Sequence, residues 1–326
     1  MKQLPEGTMD GVDEQIFAIG DIHGELASME AALEYVRENR DPSRTSHLIF
    51  LGDLVDRGAD GMKCMKMAWD ACERTGVDKR TVLIGNHEMM MFHSITPLAD
   101  GSYDDFMGMN WVKNGGASVI REVTEASGST KGIEQQVRDA IPEGMLEHMV
   151  ANTHHRAGNL IFVHAGLIAG LDSEDDLARY LARPPKMEDG DKTHWAWVRE
   201  DYFLEYGRVT GWGPDRNLIV VHGHTPVGTD PQSSAYTSYV KAHRSGQVFE
   251  KSETEMARAL LEALNSSDHH DLVNECGRIN MDGGCGKYKK HAAPVPVLQL
   301  KDNQYHIEMT LRNDLESKPQ AAPSPS

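Results

Sequence analysis

Three stretches of the chain share one pattern, from which the fold class can be predicted. They are QIFAIGDIHG at residues 15–24, HLIFLGDLVDRG at residues 47–58 and TVLIGNHE at residues 81–88. In each stretch an apolar run of the length and composition typical of a buried strand ends at a glycine followed by a polar residue. The predicted strands are Gln15–Gly20, His47–Gly52 and Thr81–Gly85.

Helices are predicted between these strands. In Glu25–Arg40 apolar residues recur at helical spacing until Asp41-Pro42 ends the run. A second helix is predicted around Met65–Cys72, closed by Gly76. The first ninety residues therefore predict a β-α-β-α-β unit.

The polar residues after the three strands are evenly spaced. Asp21, Asp53 and Asn86 lie 32 and 33 residues apart, close to the roughly 30 residues of one βαβ crossover. Because parallel strands end at the same edge of a sheet, these residues are expected to meet at the edge where open α/β folds bind ligands.

The rest of the chain predicts further strands and one insertion. Apolar runs predict strands that we expect to form a second sheet: Asn159–His164, Asn217–His222, Arg278–Asp282, Pro296–Leu300 and Gln304–Met309. We interpret residues 14–312 as one catalytic domain with an insertion at about 230–275, preceded by a polar segment over residues 1–13. Residues 313–326 are rich in Ser, Pro and Ala and are expected to be disordered.

The charge, the cysteine content and the apolar runs of the sequence indicate which partners and which cellular compartment to expect. The 326 residues include 33 Lys plus Arg and 50 Asp plus Glu, a formal net charge of −17. That charge disfavours nucleic acids and anionic membranes as partners. Four scattered cysteines favour a reducing cytoplasm over a disulfide scaffold. The polar N-terminus and the lack of any long apolar run predict neither an export signal nor a membrane span.

The three turns carry side chains that bind metals. Aspartate and histidine separated by one residue can point at one centre when a strand opens into a glycine turn, and carboxylate plus imidazole suits borderline divalent ions. Two later strand ends add histidines, in Phe-Val-His-Ala-Gly and His-Gly-His-Thr-Pro. Six ligands for two metal sites are predicted: Asp21, His23, Asp53, Asn86, His164 and His224.

On these motifs the chain resembles the phosphoprotein phosphatase family of the calcineurin-like metallophosphoesterase superfamily. The segments His-Ala-Gly at 164–166 and Gly-His-Thr-Pro at 223–226 are closer to its bacterial and phage serine/threonine phosphatases than to the eukaryotic enzymes. The resemblance implies an α/β fold, a four-layer α/β/β/α sandwich of two mixed sheets, with a dinuclear centre at one edge.

The resemblance also implies roles for the ligands. Asp21 and His23 would hold one metal, Asp53 would bridge both, and the other metal would be held by Asn86, His164 and His224. The cofactors would be two divalent transition-metal ions, manganese first, with iron or zinc equally suited to these ligands. A hydroxide bridging the metals would attack phosphorus directly, as two-metal sites allow.

Acid catalysis and phosphate binding are assigned to neighbouring residues. His87 is the expected general acid, with Asp56 orienting its ring. Arg57 is the expected phosphate ligand because guanidinium binds phosphate oxygens in pairs. A second arginine is expected from later in the chain. Arg199, in Trp195-Ala-Trp-Val-Arg, resembles the Trp-x-x-Arg or Trp-x-Arg segment of bacterial phosphatases and is favoured over Arg216 in Gly211-Trp-Gly-Pro-Asp-Arg.

Three functions are compatible with these sequence features. The first is a phosphomonoester hydrolase acting on phosphoserine and phosphothreonine proteins, with phosphotyrosine or a small phosphoester as further substrates. The second is a dinucleoside polyphosphate hydrolase, against which Asp56 and Glu88 count because relatives with that activity typically lack the first and carry Asn-His-Asp in the third turn. The third is a non-catalytic metal-binding scaffold. The oligomeric state and the physiological substrate are left open.

Overall fold

The computed structural model describes residues 1–168, 170–171, 173–185, 192–199, 218–226, 277–286 and 295–310. The proposed insertion at about 230–275, Arg216 and the C-terminal segment 313–326 lie outside the described residues.

The first sheet contains six strands in the order β1-β10-β9-β2-β3-β4. Strands β2, β3 and β4 are parallel, and β9 pairs antiparallel with β2 on its other edge. The strand bounds are Lys2–Gln3 (β1), Gln15–Ile19 (β2), Ser46–Phe50 (β3), Lys79–Val82 (β4), Val295–Lys301 (β9) and Gln304–Thr310 (β10).

The second sheet contains four strands in the order β5-β6-β7-β8. Here β5 is antiparallel to β6, whereas β6, β7 and β8 are parallel. The bounds are His154–Ala157 (β5), Leu160–Val163 (β6), Ile219–His222 (β7) and Arg278–Asn280 (β8). The prediction of an α/β fold with two mixed sheets is confirmed.

The assignment of the last two strands to the second sheet is wrong. Val295–Lys301 and Gln304–Thr310 form a hairpin in the first sheet. All five residues of β2 are buried, so this strand needs a hydrogen-bonded neighbour on each edge, and β3 supplies only one of them. The strand Val295–Lys301 supplies the other.

The third predicted strand is also displaced. It begins at Lys79 and ends at Val82 rather than running from Thr81 to Gly85. The amide of Leu83 still donates to the Phe50 carbonyl of β3, and the chain then leaves the ladder, with the amide of Ile84 donating to the carbonyl of Asn152.

The two sheets pack face to face around one apolar cluster. It includes Ile16 and Ala18 of β2, Ile49 of β3, Phe162 of β6 and Leu298 of β9. The opposite faces of β2 and β3, with Phe17 and Phe50, pack with helices in a second cluster. Because both faces of the central strands are covered, these strands read as continuous apolar runs.

Helix α1 spans Leu26–Asn39 and confirms the predicted helix to within one residue at each end. The second predicted helix is split at Asp70 into α2 and α3, and Gly76 closes α3 in the left-handed region at φ 76°. The helices after α1 are Gly61–Trp69 (α2), Ala71–Thr75 (α3), Asn86–Ile95 (α4), Asp105–Trp111 (α5), Ala117–Ser127 (α6), Ile133–Ala140 (α7), Met145–Ala151 (α8) and Glu174–Leu181 (α9). A π-helical turn over Val112–Gly116 joins α5 to α6.

None of the helices in the described part of the chain combines the length and the apolar character that crossing a bilayer requires.

The pairing of β9 with β2 can be tested by truncating Leu298, which is fully buried between Ala18 and Ile307 in neighbouring strands. We expect Leu298→Ala to lower the free energy of unfolding by about 2–5 kcal/mol, through lost apolar burial and the cavity left behind. The matched control is Leu98→Ala, whose side chain is 49% exposed. Urea denaturation measures both, and equal effects would contradict the placement of β9 in the core.

Candidate active site

The six predicted ligands meet at the carboxyl edge of the parallel strands. Asp21 follows β2, Asp53 follows β3, and Asn86 opens α4. From the second sheet, His164 follows β6 and His224 follows β7. All six side chains are buried, with 0–4% of their surface exposed: Asp21, His23, Asp53, Asn86, His164 and His224.

Asp53 lies at the centre of this group. Its Oδ1 is 3.4 Å from His164 Nε2, and its Oδ2 is 3.5 Å from His23 Nε2 and 3.9 Å from His87 Nε2. Two sets of donor atoms, each within 4.8 Å of one another, share this aspartate: His23 with His87, and His164 with His224. One carboxylate can therefore face two adjacent cation positions.

The remaining candidate ligands, Asp21 and Asn86, border these two sets. Asp21 Oδ2 is 3.9 Å from His23 Nε2, and both Asp21 oxygens accept from the His224 amide at 3.1 Å. Asn86 Oδ1 lies 2.9 Å from His164 Nε2. The structure therefore brings together all six residues from five separate segments.

Backbone carbonyls orient two of the imidazoles. His23 Nδ1 lies 2.9 Å from the Val55 carbonyl, and His164 Nδ1 lies 2.8 Å from the Leu51 carbonyl. A ring that donates its Nδ1–H to a carbonyl presents its Nε2 lone pair to the centre, which is how metal-binding histidines are held. His224 Nε2 is buried with no hydrogen-bond partner in the described part of the chain.

Three residues in the loops that carry the candidate ligands have backbone conformations that residues other than glycine rarely adopt. Positive φ occurs at His23 (48°), Asp53 (53°) and His224 (65°), and such strain clusters at functional sites. Glycines allow close approach of the loops. A Cβ on Gly85 would lie 2.3 Å from Asp53 Oδ1, and one on Gly223 would lie 2.1 Å from Asp21 Oδ1.

Negative charge is concentrated at the site. Burial, followed by the charges of Asp282 and Asp53, raises the pKa of Asp21 well above its usual range. Burial likewise lowers the pKa of the His23 and His224 imidazoles, which favours their neutral, metal-binding form. Neutral imidazoles, carboxylates and an amide oxygen suit borderline divalent cations. The residues present therefore fit two such cations, whose charge would offset the buried acids.

His87 is held by a buried chain of hydrogen bonds. Its Nδ1 lies 2.7 Å from Asp56 Oδ2, and the other Asp56 oxygen accepts from Trp111 Nε1 at 2.8 Å. Burial raises the pKa of Asp56, while its hydrogen bonds with His87 and Trp111 oppose the rise. Sequence reasoning missed Trp111, and no local signal could have revealed it because it comes from α5, 55 residues beyond Asp56.

Glu88 joins the second and third turns. Its buried carboxylate accepts backbone amides of Asp53 at 2.9 Å, Leu54 at 2.7 Å and Gly85 at 3.0 Å. Sequence reasoning used Glu88 only to compare families and missed this contact. The sequence feature that could have indicated this role of Glu88 was its position directly after His87, on the first turn of α4.

Two of the three candidate arginines are described. Arg57 has its guanidinium nitrogen 2.9 Å from His87 Nε2, so it lies directly beside the site. Arg199 is exposed, with its nitrogens 3.4 Å from Thr225 Oγ1 and 3.5 Å from His224 Nδ1. Arg216 lies outside the described residues, and the choice between it and Arg199 stays a prediction.

A family model described as calcineurin-like phosphoesterase matches residues 15–255. The chain belongs to this family. The match includes all six candidate ligands and the His87–Asp56 pair. Members of the calcineurin-like phosphoesterase family depend on a dinuclear metal centre, and this chain supplies two candidate donor groups around Asp53.

Two curated relatives are tetraphosphatases. The symmetrical bis(5'-nucleosyl)-tetraphosphatase of Methylococcus capsulatus is 27% identical over 164 residues, which cover 50% of this chain and 47% of the relative. The asymmetrical bis(5'-nucleosyl)-tetraphosphatase PrpE of Bacillus subtilis is 26% identical over 231 residues, 64% of this chain and 78% of the relative. The match thus spans less than half of the Methylococcus protein.

Solved structures of two phosphatases are also similar. A cold-active protein-tyrosine phosphatase of a psychrophilic Shewanella species is 13% identical with a TM-score of 0.42, covering 91% of this chain and 80% of the other. A protein serine/threonine phosphatase of Saccharomyces cerevisiae is 12% identical with a TM-score of 0.41, covering 92% and 81%. At these TM-scores the superpositions add nothing to the family assignment.

The close approach at Gly223 provides a test of the site geometry. We expect Gly223→Ala to displace the Asp21 carboxylate, because the added Cβ would lie 2.1 Å from its Oδ1, and so to weaken divalent-metal binding at least tenfold. Gly108→Ala is the control, because nothing lies within 4 Å of a Cβ there. Titration with Mn²⁺ measures both variants, and native affinity in Gly223→Ala would contradict the geometry.

Proposed function

We propose that the chain is a metal-dependent phosphoric monoester hydrolase, and more specifically a protein phosphatase acting on phosphoserine and phosphothreonine, with phosphotyrosine also accepted. The observation that carries this proposal is the buried hydrogen-bond chain from Trp111 through Asp56 to His87. This chain fixes Nδ1 of His87 and leaves Nε2 of the same ring facing the site beside Arg57.

The oriented imidazole of His87 favours a phosphomonoester substrate, because the leaving group of such a substrate needs a proton. A seryl or threonyl alkoxide is a poor leaving group and has to be protonated as the P–O bond breaks, which a positioned general acid can do. A nucleoside phosphate released from a polyphosphate leaves as a stabilised anion and needs less help. A buried carboxylate behind His87 therefore supports a substrate whose leaving oxygen requires a proton.

The donor set supports a pair of cations. Asp21 and His23 would hold one, while Asn86, His164 and His224 would hold the other, and Asp53 would be shared. When bound, two such cations supply positive charge that activates water and neutralises the phosphoryl group. Manganese, iron and zinc all suit these ligands.

The remaining roles belong to side chains around the cations. Arg57 and Arg199 would bind phosphate oxygens, because guanidinium groups form paired, charge-assisted hydrogen bonds with phosphate. Arg57 now lies 2.9 Å from His87 Nε2, and a bound phosphate would compete for that guanidinium. His87 Nε2 would then be free to carry the proton that goes to the leaving oxygen, with Asp56 stabilising the charged ring.

Hydrolysis of dinucleoside polyphosphates is the second candidate. It is favoured by the two curated relatives, both of which are named as bis(5'-nucleosyl)-tetraphosphatases. The same donor set and the same arginines could bind a polyphosphate, so this candidate differs from the first in its leaving group.

Replacing His87 tests the acid role. We expect His87→Asn to lower kcat on a phosphoserine peptide by about 100-fold to 10,000-fold, the usual contribution of general acid catalysis. The loss should be smaller on p-nitrophenyl phosphate, because nitrophenolate leaves without a proton. His93→Asn, the same change on the same helix, is the control and should keep native rates on both substrates. Equal losses in His87→Asn on both substrates would remove the acid role.

A direct comparison of substrates separates the two candidates. We expect kcat/KM on phosphoserine and phosphothreonine peptides to exceed that on diadenosine tetraphosphate at least tenfold in the presence of Mn²⁺, with phosphotyrosine measured alongside. The reverse order would establish the second candidate. Absence of turnover on every substrate with manganese, iron or zinc would leave a metal-binding scaffold.

A further inference from the structure

Three donor side chains lie together at the amino-terminal ends of the first sheet's strands, away from the candidate active site. Glu14 directly precedes β2, His47 lies in β3, and His155 lies in β5 of the second sheet. One donor atom from each side chain lies within 4.8 Å of the other two. This cluster therefore joins the two sheets and shares no residue with the Asp53 centre.

Neighbouring contacts point the donors of Glu14 and His47 at each other. His47 Nε2 lies 2.8 Å from Thr81 Oγ1, which turns Nδ1 toward Glu14 Oε1 at 3.5 Å. Lys79 Nζ binds the other oxygen of Glu14 at 2.9 Å. One carboxylate oxygen is thus occupied by the lysine, and the second faces the imidazole.

Two ring nitrogens of the cluster are buried without a hydrogen bond. They are His155 Nε2, which has no hydrogen-bond partner among the described residues, and His47 Nδ1, which reaches Glu14 Oε1 only at 3.5 Å, too long for a good hydrogen bond. His47 is only 5% exposed, and the two rings lie edge to face with centroids 4.7 Å apart. Buried polar nitrogens without partners are costly and uncommon, so their presence side by side indicates a ligand that both nitrogens bind.

The charge states suit a cation. Burial lowers the pKa of His47, and burial together with His47 lowers the pKa of His155 to about 4. Both rings are therefore neutral near pH 7 and have a lone pair to donate. Burial would raise the pKa of Glu14, but Lys79 and His47 outweigh it and the net shift is downward, so the carboxylate is ionised.

We propose that Glu14, His47 and His155 form a divalent-cation site of the class that binds Zn²⁺. Two imidazoles and one glutamate are a known three-ligand set for zinc, with a fourth position left for water or another ligand. Tetrahedral coordination at 2.0–2.2 Å requires donor atoms about 3.4 Å apart, a spacing that Glu14 and His47 already have. The third donor, on the partly buried ring of His155, lies within 4.8 Å of both.

The cleft beside the cluster leaves the fourth coordination position of a bound cation accessible. A cleft of about 430 Å³ borders the cluster, and its walls include Asp13, Glu14, Lys79, His155 and Arg156. Its two basic residues are paired with acids: Lys79 with Glu14, and Arg156 with Glu174 at 2.7 and 3.1 Å. A bound cation would link the first sheet to β5 and stabilise the packing of the sheets.

The site is tested by counting zinc. The chain is stripped with chelator, loaded with excess Zn²⁺, desalted and analysed for metal per chain. We expect His155→Gln to hold one equivalent fewer than the native chain, and Glu14→Gln to show the same loss. His154→Gln is the matched control, since it changes the adjacent histidine of β5 and should keep the native content. Zinc should also raise Tm by about 5 °C less in His155→Gln, as expected for a lost site at saturating ligand.

Two outcomes would overturn the proposal. Equal zinc content in the native chain, His155→Gln and Glu14→Gln would show that the cluster holds no metal. Loss of an equivalent in His154→Gln as well would show zinc binding that is not confined to the Glu14, His47 and His155 cluster. Hydrolysis of p-nitrophenyl phosphate with Mn²⁺, measured on the same samples, should be native in all three variants. The zinc difference does not depend on that activity, so this proposal and the proposed function fail separately.

Discussion

The constraint on which the site depends is the placement of buried carboxylates among buried imidazoles. Asp53 faces the Nε2 atoms of three histidines at 3.4 to 3.9 Å, and Asp21 is buried close by. Unpaired charges are expensive to bury, and the arginines near the site lie at its rim. Cations bound between these ligands would supply the missing positive charge, which explains why a fold tolerates this cluster.

The ends of the strands in the two sheets bring these side chains together. Parallel strands end at one edge, so polar residues after β2 and β3 arrive side by side, and the second sheet delivers His164 and His224 to the same edge. Glu88 then ties the backbone around Asp53 to Gly85. Positive φ at Asp53 and at His224 shows that the loops are bent to aim their side chains, a cost that functional sites commonly carry.

Local sequence patterns predicted the strands at 15–20 and 47–52, helix α1, and the meeting of the six candidate ligands. They could not predict which sheet the last hairpin joins, because the pairing of β9 with β2 depends on contacts about 280 residues apart in sequence. Trp111 behind Asp56 was missed for the same reason, and so was the Glu14 cluster, whose members come from three elements. The choice between a phosphoprotein and a dinucleoside polyphosphate rests on the leaving group, which the ligand pattern alone does not encode.

Anomalous diffraction from crystals grown with Mn²⁺ would locate the cations bound among these carboxylates and imidazoles. We expect two peaks, one on each side of Asp53, the first contacting Asp21 and His23 and the second contacting Asn86, His164 and His224. A single peak, or peaks away from Asp53, would contradict this placement of the cations.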